Sequence, residues 1–348
     1  MGKQSVYVIG ATGEAGSSIV DGLLESGNFN IIAGTRPSSP TKPETSPLKS
    51  RGIEVRALDL ENWSVDQVAE RLRGADTVIS AIFELQLQLQ RPLADACKKA
   101  GVKRLIPCDW GPACMRGVRR MLDEKLDIQE YIKKTGVGYT FIDVGWWYVL
   151  PLPSETGTSA SYPTPTPQGA YRSSILEHAS TRFGSGGVKC ANTDARTLNR
   201  YVFCWAEEVM QNEAPALARR GSSGKVEVKV EELPHDDADP LDRIHFDYWY
   251  SLWVKGDNTV ENAKGAEYGA ALDAGELYPD LGKDAALTRG VCGGSSLRAV
   301  LLTVYVLRNQ HLERRNFLPN SVSSRLSFAL ILSTRACIIK TSALSSAS

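Results

Sequence analysis

A glycine-rich turn lies near the start of the chain, directly after a short apolar run at 6–9 and before a helical pattern. The turn consists of Gly10, Ala11, Thr12, Gly13, Glu14, Ala15 and Gly16. Gly10 permits a tight turn out of a strand, Gly13 leaves room for a pyrophosphate, and Gly16 lets the helix pack closely on the strand. The first amides of the helix then face the phosphates, with the helix dipole in support. This context predicts a dinucleotide-binding turn rather than a glycine-rich turn without a ligand.

Short apolar runs alternate with amphipathic stretches over the first part of the chain. The runs predict strands at 6–9, 31–33, 53–58, 77–81, 104–107 and 139–144. Helical patterns occupy 16–25, 65–72, 85–100 and 119–134, and Gly101 and Gly136 follow the last two at positions suited to left-handed C-terminal caps. Strand–helix alternation of this kind predicts an α/β fold, a Rossmann-type doubly wound parallel sheet, over residues 1–150.

The composition changes from Pro151 onward, where a stretch rich in Pro, Ser and Thr predicts a long loop. A strand pair at 182–192, a helix at 194–211, a strand at 225–233 and a helix at 246–254 are predicted to follow. We expect residues 151–282 to form a smaller C-terminal α+β substrate cap. Residues 283–348 are an atypical tail, in which Glu313 is the one acidic residue after Ala285. Three interpretations of this tail are open: a basic extension, an organelle-targeting signal, or sequence that is out of frame or intron-derived. We favour the third.

The charge balance is even, with 40 Lys plus Arg residues against 40 Asp plus Glu. It indicates no attraction to nucleic acid, and no apolar run reaches the length of about 18 residues needed to cross a bilayer. The N-terminus lacks the apolar core of a signal peptide. The 7 cysteines include no Cys-x-x-Cys pair, and the 4 histidines lack metal-ligand spacing. We therefore expect a cytoplasmic protein with free thiols, no metal, and no nucleic-acid or membrane partner; the oligomeric state stays open.

Arg36 occupies the position that sets cofactor preference in dinucleotide-binding folds, at the end of the second predicted strand. An acidic side chain there binds the ribose hydroxyls of NAD. This chain reads Ala33-Gly34-Thr35-Arg36, and a guanidinium suits the 2′-phosphate of NADP by bidentate, charge-assisted pairing. The sequence therefore predicts NADPH as the cofactor; the alternative is that Arg36 is a solvated loop arginine.

Several motifs resemble the NmrA-like, isoflavone reductase-like family of atypical short-chain dehydrogenases, and in particular its fungal members. They are GATGEAG at 10–16, Arg36, VISAI at 78–82, KRLIPCDWG at 103–111, and the stretches 124–147, 182–198 and 248–281. The resemblance covers about residues 4–282. It implies a Rossmann fold, an NADPH-dependent oxidoreductase and a small aromatic substrate, with Ala81 beside the cofactor.

Lys125 is the catalytic residue that this resemblance implies. Short-chain dehydrogenases usually use a Tyr-x-x-x-Lys pair, which occurs nowhere in this chain, and Met121 lies four positions before Lys125. In isoflavone reductase-like enzymes a single lysine in this helix does the acid–base work. At a dry site beside a cationic nicotinamide we expect its pKa to be lowered. The alternative is a surface lysine of an amphipathic helix, beside Asp123, Glu124 and Asp127.

Cys108 and Asp109 follow the fifth predicted strand, at the edge where open α/β sheets bind ligands. Asp109 is expected either to position a water or Lys125, or to cap the next turn. A nucleophilic Cys108 is not needed for hydride transfer. Three aromatic residues follow the sixth strand, Trp146, Trp147 and Tyr148, and they either stack on an aryl substrate or pack the cap against the core.

The sequence thus predicts an NADPH-dependent reductase of a small aromatic, isoflavone- or phenylpropanoid-like substrate, with Lys125 as acid/base. The alternative is a non-catalytic, NADP(H)-sensing regulator of the NmrA-like type that binds a protein partner. The resemblance favours the enzyme, because the regulators lack a lysine at the position of Lys125.

Overall fold

A computed structural model of the chain describes residues 2–37, 45–147, 159–163, 172–176, 194–205, 207–210, 227–231, 247–248 and 250–279. All of these residues belong to one compact unit, Met1–Leu302. The predicted strand pair at 182–192 and the tail at 283–348 lie outside the described residues. The domain boundaries at 150 and 282 stay predictions.

A five-stranded parallel sheet is built from the first part of the chain, in the order β3-β2-β1-β4-β5. Its strands are β1 Gln4–Ile9, β2 Phe29–Thr35, β3 Glu54–Ala57, β4 Thr77–Ser80 and β5 Arg104–Ile106. Val6 pairs with Ile31 on one side and with Thr77 on the other, so β1 is the central strand. The side chains of Val6, Tyr7 and Val8 are completely buried, as expected of a parallel strand covered on both faces.

The parallel order continues beyond β5 through a bridge between Leu105 and Tyr139. The later strands are β6 Thr140–Asp143, β7 Trp146–Trp147, β8 Ser159–Pro163, β9 Arg172–Leu176, β10 Arg200–Phe203, β11 Glu207–Met210, β12 Glu227–Glu231 and β13 Leu272–Asp273. Strands β6, β10 and β13 form a parallel sheet in the order β13-β10-β6. Smaller sheets have the orders β11-β9-β7 and β12-β8. The main sheet is the doubly wound arrangement that the sequence predicts.

The helices of the described residues are α1 Glu14–Ser26, α2 Ser46–Ser50, α3 Val65–Leu72, α4 Gln90–Ala100, α5 Arg120–Thr135, α6 Val260–Lys264 and α7 Ala274–Leu277. Capping residues stand at several of their ends. A capping box of Ser64 and Gln67 starts α3. Gly101 and Gly136 end α4 and α5 with φ of 76° and 71°, which confirms the predicted left-handed caps. The predicted helix at 85–100 is divided, because a 3-10 turn at Glu84–Leu89 precedes α4.

The predicted helix at 194–211 is wrong, because strands β10 and β11 occupy this segment. Phe203 pairs with Asp143, and β10 thereby extends the parallel sheet beside β6. Val202 and Phe203 are buried in that strand, where β-branched and aromatic side chains pack well. Pairing with the edge of the sheet at β6 therefore stabilises a strand here more than the helical sequence pattern stabilises a helix. The predicted strand at 225–233 contains β12, and the predicted helix at 246–254 contains a π-helical turn, Tyr250–Val254.

The main core lies between the sheet and its helices. Ile19 and Leu23 of α1, Leu93 of α4, and Ile128 and Ile132 of α5 are almost completely buried. Burial of each such side chain contributes about 1.5–3 kcal/mol to the free energy of unfolding. In the part of the chain that the structure describes, no helix is long and apolar enough to span a membrane.

Candidate active site at the carboxyl edge of the sheet

The glycine-rich turn is packed too closely for side chains at two of its positions. Gly10 has a φ of +79°, and a Cβ placed on it would lie 2.2 Å from the carbonyl oxygen of Ala81. A Cβ on Gly16 would lie 2.0 Å from the carbonyl oxygen of Gly10. These are backbone atoms, so the two positions require glycine. The turn therefore fits directly between α1 and the end of β4.

The other residues of the turn lead into α1. Ala11 is buried and Ala15 packs partly against the core, whereas Thr12 and Gly13 are exposed. Helix α1 begins at Glu14, and its N-cap residue Gly13 supplies no side-chain hydrogen bond to the first turn. An exposed glycine before uncapped helix amides is a suitable cradle for the pyrophosphate of a dinucleotide. The residues present therefore fit the predicted cofactor.

Arg36 directly follows β2 and is exposed. The pKa of the Asp59 carboxyl, just beyond β3, is lowered mainly by a hydrogen bond from Asn62 and to a smaller extent by the Arg36 guanidinium. Arg36 and Asp59 thus lie near each other at the carboxyl edge of adjacent strands. Because β2 pairs with β1, Arg36 is at the same edge as the glycine-rich turn.

The segment after β5 connects this edge to helix α5. The Trp110 indole donates a hydrogen bond of 2.7 Å to the backbone carbonyl of Ser80, and the Cys108 thiol donates one of 3.2 Å to that of Ile82. Ser80 and Ile82 flank Ala81, which packs on the glycine-rich turn. These bonds fix the segment after β5 against the end of β4.

Lys125 is buried, with 7% of its surface exposed. Its ammonium donates a hydrogen bond of 2.8 Å to the backbone carbonyl of Asp109. It shares the buried face of α5 with Leu122, Ile128, Gln129 and Ile132. This burial excludes the interpretation of Lys125 as a surface lysine. Asp109 positions Lys125 through its backbone carbonyl.

The pKa of Lys125 is raised in the protein by itself, and the lowered pKa expected beside a cationic nicotinamide stays a prediction. Burial lowers this pKa, but nearby acidic groups outweigh the effect. In decreasing order of effect they are Tyr248, Cys108, Asp109 and Asp143. The sequence did not indicate that these groups gather around one amine. Lys125 is therefore protonated at neutral pH, as a group that donates a proton must be.

Two buried carboxyl groups lie near Lys125. Burial raises the pKa of Asp109 to about 6. Burial, with the charge of Asp109, raises that of Asp143 to about 7. The Tyr201 hydroxyl donates a hydrogen bond of 2.9 Å to Oδ2 of Asp143, whereas Oδ2 of Asp109 has no partner among the described residues. Sequence reasoning missed Asp143 and Tyr201; the position of Asp143 at the end of a predicted strand was the available signal.

The predicted aromatic wall is only partly described. Trp146 and Trp147 form β7, but the placement of their side chains, and all of Tyr148, lie outside the described residues. Their role as a substrate wall or as packing for the cap stays a prediction. Among the described residues, no group of three or more His, Cys, Asp or Glu side chains could hold a metal ion.

Comparisons with known proteins identify the family. The model of the NmrA-like family matches residues 2–154. The chain is 34% identical to the asnovolin J 5′,6′-dehydrogenase of Aspergillus novofumigatus, over 79% of this chain and 91% of that protein. It is 26% identical to a probable pinoresinol-lariciresinol reductase of Arabidopsis thaliana, over 80% of this chain and 94% of that protein. The solved complex of leucoanthocyanidin reductase with NADPH from Vitis vinifera aligns with a TM-score of 0.64 at 18% identity, over 82% of this chain and 99% of that chain.

The chain therefore belongs to the NmrA-like family, in its isoflavone reductase-like branch. This confirms the family resemblance, including its fungal character, because the dehydrogenase relative is fungal. The Rossmann-type α/β fold is confirmed by the parallel sheet and by the solved neighbour. The prediction of an oxidoreductase is likewise confirmed by relatives that are dehydrogenases and reductases.

Proposed function

We propose that the protein is an NADPH-dependent reductase of a small aromatic, isoflavone- or phenylpropanoid-like molecule, with Lys125 as the acid/base group. One observation carries the proposal: a continuous series of contacts leads from the glycine-rich turn through Ala81, Ser80 and Trp110 to the bond between Asp109 and Lys125. A buried ammonium group and a dinucleotide cradle thereby belong to one edge of the sheet. Open α/β sheets bind their ligands at this edge.

The cofactor would be held by two groups of residues. Arg36 would pair with the 2′-phosphate, and Ala81 would flank the nicotinamide. The pyrophosphate would lie over the turn formed by Gly10, Ala11, Thr12, Gly13, Glu14, Ala15 and Gly16. When bound, NADPH supplies the hydride. The NADPH in the Vitis vinifera structure supports this choice.

Lys125 would donate the proton in the direction of reduction and accept it in the direction of dehydrogenation. Addition of hydride to a substrate carbon leaves negative charge on the substrate, and the Lys125 ammonium neutralises it by giving up one proton. The amine is then neutral until solvent returns a proton. In the direction of dehydrogenation, the neutral amine accepts the proton instead. The bond to the Asp109 carbonyl orients the amine, and burial leaves only a small part of Lys125 open to solvent.

The test compares Lys125→Ala with Lys133→Ala, an exposed lysine of the same helix that pairs with Glu130. NADPH oxidation is followed with a panel of aryl enones and diaryl compounds, and NADPH binding by fluorescence. We expect Lys125→Ala to lose about 100-fold or more in turnover while keeping its NADPH affinity. The Lys133→Ala variant should behave as the unaltered protein.

Undiminished turnover in Lys125→Ala would contradict the catalytic role. Tight NADP binding without turnover of any compound, together with capture of a protein partner, would instead favour the NADP(H)-sensing regulator. The proposal includes a cytoplasmic location, which fractionation of the cells that express the protein would test.

A further inference from the structure

Helix α5 carries two polar side chains on its buried face, Lys125 and Gln129, one turn apart. The Lys125 ammonium bonds the backbone carbonyl of Asp109, and the Gln129 side chain is close enough to the carboxyl of the same residue to lower its pKa. The Nε2 atom of Gln129 also donates a hydrogen bond of 3.4 Å to the hydroxyl of Tyr201. One helix face thus contacts both the segment after β5 and strand β10.

Tyr201 continues this network to Asp143. Its hydroxyl donates a hydrogen bond of 2.9 Å to Oδ2 of Asp143, the last residue of β6. The ring of Tyr201 packs edge-on against Phe141 at a centroid distance of 5.9 Å. The backbone carbonyl of Asp143 accepts a hydrogen bond of 2.8 Å from the amide of Cys204. Strand β10 therefore holds both the carboxyl group and the backbone of Asp143.

Two basic and two acidic side chains are buried in this region. Lys125 and Arg119 are 7% and 2% exposed, and Asp109 and Asp143 are 2% and 4% exposed. The ionisable groups that face Asp143 are Asp109, Tyr201, Lys125 and Arg119. Those that face Lys125 are Tyr248, Cys108, Asp109 and Asp143, and the Tyr248 ring also stacks on Arg119 at 4.7 Å. A buried cation keeps its charge only where such partners compensate for the lost water.

We propose that Asp143, held in place by Tyr201, is a positioning residue whose carboxylate acts with the neighbouring acidic groups to keep the buried Lys125 in its ammonium form. Asp109 bonds Lys125 through the backbone, so the side chain of Asp143 can be changed without breaking that bond. The consequence for catalysis rests on the proposed function of Lys125. The effect of Asp143 on the charge of Lys125 does not depend on a bound cofactor or substrate.

Trace labelling with acetic anhydride over a range of pH tests this effect on the full-length chain. Only the neutral amine reacts with the anhydride. Mass spectrometry of the peptides therefore gives, for each lysine, the pH at which its labelling is half of the maximum, which we call the midpoint. In Asp143→Asn we expect the midpoint of Lys125 to fall, because the charge of Asp143 raises the pKa of Lys125. In Tyr201→Phe we expect a smaller fall, because the ring stays but the carboxylate loses its donor. Asp143→Glu should restore most of the midpoint, and the exposed Lys133 serves as an internal control in every sample.

An unchanged Lys125 midpoint in folded Asp143→Asn would overturn the proposal. Where circular dichroism shows that this variant does not fold, Tyr201→Phe decides, and the absence of a shift there overturns it. A shift in Asp143→Asn with none in Tyr201→Phe overturns the part assigned to Tyr201. With a substrate that the enzyme converts, the alkaline limb of the pH profile of kcat should move together with the labelling midpoint of Lys125. The KM for NADPH should stay constant. A labelling shift without movement of that limb would count against the acid/base role of Lys125 and leave the positioning role intact.

Discussion

The indole nitrogen of Trp110 donates a hydrogen bond of 2.7 Å to the backbone carbonyl of Ser80. Ser80 is the last residue of β4, and Trp110 lies beyond the end of β5, so this bond joins the two strands past the point where their pairing ends. It holds Asp109, and with it Lys125, at a fixed place relative to Ala81. The glycine-rich turn and the buried amine are therefore joined by contacts along one edge of the sheet.

Trp110→Phe should weaken that edge. The buried carbonyl of Ser80 would lose this donor, which costs about 1–3 kcal/mol of the free energy of unfolding, and a small cavity would add to the loss. Urea unfolding measures the change. Trp63→Phe is the matched control, because the Trp63 ring packs at the edge of the core and stacks with Arg71 at 5.4 Å. Equal losses in the two variants would contradict the importance of the bond to Ser80.

Gly16→Ala and Gly13→Ala should separate packing of the turn from binding by the turn. A Cβ on Gly16 would lie 2.0 Å from the carbonyl oxygen of Gly10, whereas one on Gly13 would lie 3.3 Å from the same atom. We expect Gly16→Ala to lose about 2 kcal/mol or more of unfolding free energy, because the turn must move. Gly13→Ala should lose less than about 1 kcal/mol but bind NADPH more weakly, since its methyl group would stand where the pyrophosphate approaches. Thermal unfolding and NADPH titration give the two quantities, and equal stabilities would argue against the close packing at Gly16.

Most of the main sheet could be predicted because its signals are local. The buried run of β1, the glycine that starts the turn, and the glycines that end α4 and α5 each act within a few residues. Strand β10 could not be predicted in this way. Its place depends on pairing with β6, which is about 60 residues away in sequence, and the helical pattern of the segment gave the opposite answer.

The residues of the candidate site divide in the same way, into those with a local sequence signal and those whose place depends on distant contacts. Gly10 and Gly16 were identified from their spacing, and Lys125 from its resemblance to a family motif. Asp143 and Tyr201 were missed, because neither belongs to a motif with a chemical meaning of its own. Their importance comes from a contact between strands far apart in sequence, and the raised pKa of Lys125 follows from the same gathering of acids.

Arg36→Ala should change the choice between the two nicotinamide cofactors. The side chain is exposed at the end of β2, so its removal should cost little stability. Loss of a charge-assisted pair with the 2′-phosphate should weaken NADPH binding by about 10- to 100-fold and leave NADH binding nearly unchanged. Isothermal titration with both dinucleotides measures the two affinities. Arg51→Ala, which removes a partly exposed arginine paired with Asp21, is the control, and equal affinity of Arg36→Ala and the unaltered protein for NADPH would leave Arg36 as a solvated arginine.

The buried acids should make the protein less stable as the pH rises from 5 to 8. Asp109 and Asp143 have pKa values of about 6 and about 7, above the value of about 3.9 for an unfolded Asp. Between these values the folded state binds more protons than the unfolded state, so the free energy of unfolding decreases with rising pH. Asp76 acts in the opposite sense, since its bond from Lys103 lowers its pKa, but that contribution is lost only below about pH 4.

Urea unfolding at pH 5 and pH 8 measures this dependence, and Asp143→Asn isolates its source. The loss between the two pH values should be on the order of a few kcal/mol in the unaltered protein and clearly smaller in the variant. The variant lacks one of the two titrating groups, so only Asp109 contributes its raised pKa to the pH dependence. Histidines also titrate in this range, but they are common to both proteins and cancel in the difference. An identical pH dependence in the two proteins would show that Asp143 is not protonated in the folded state at pH 5.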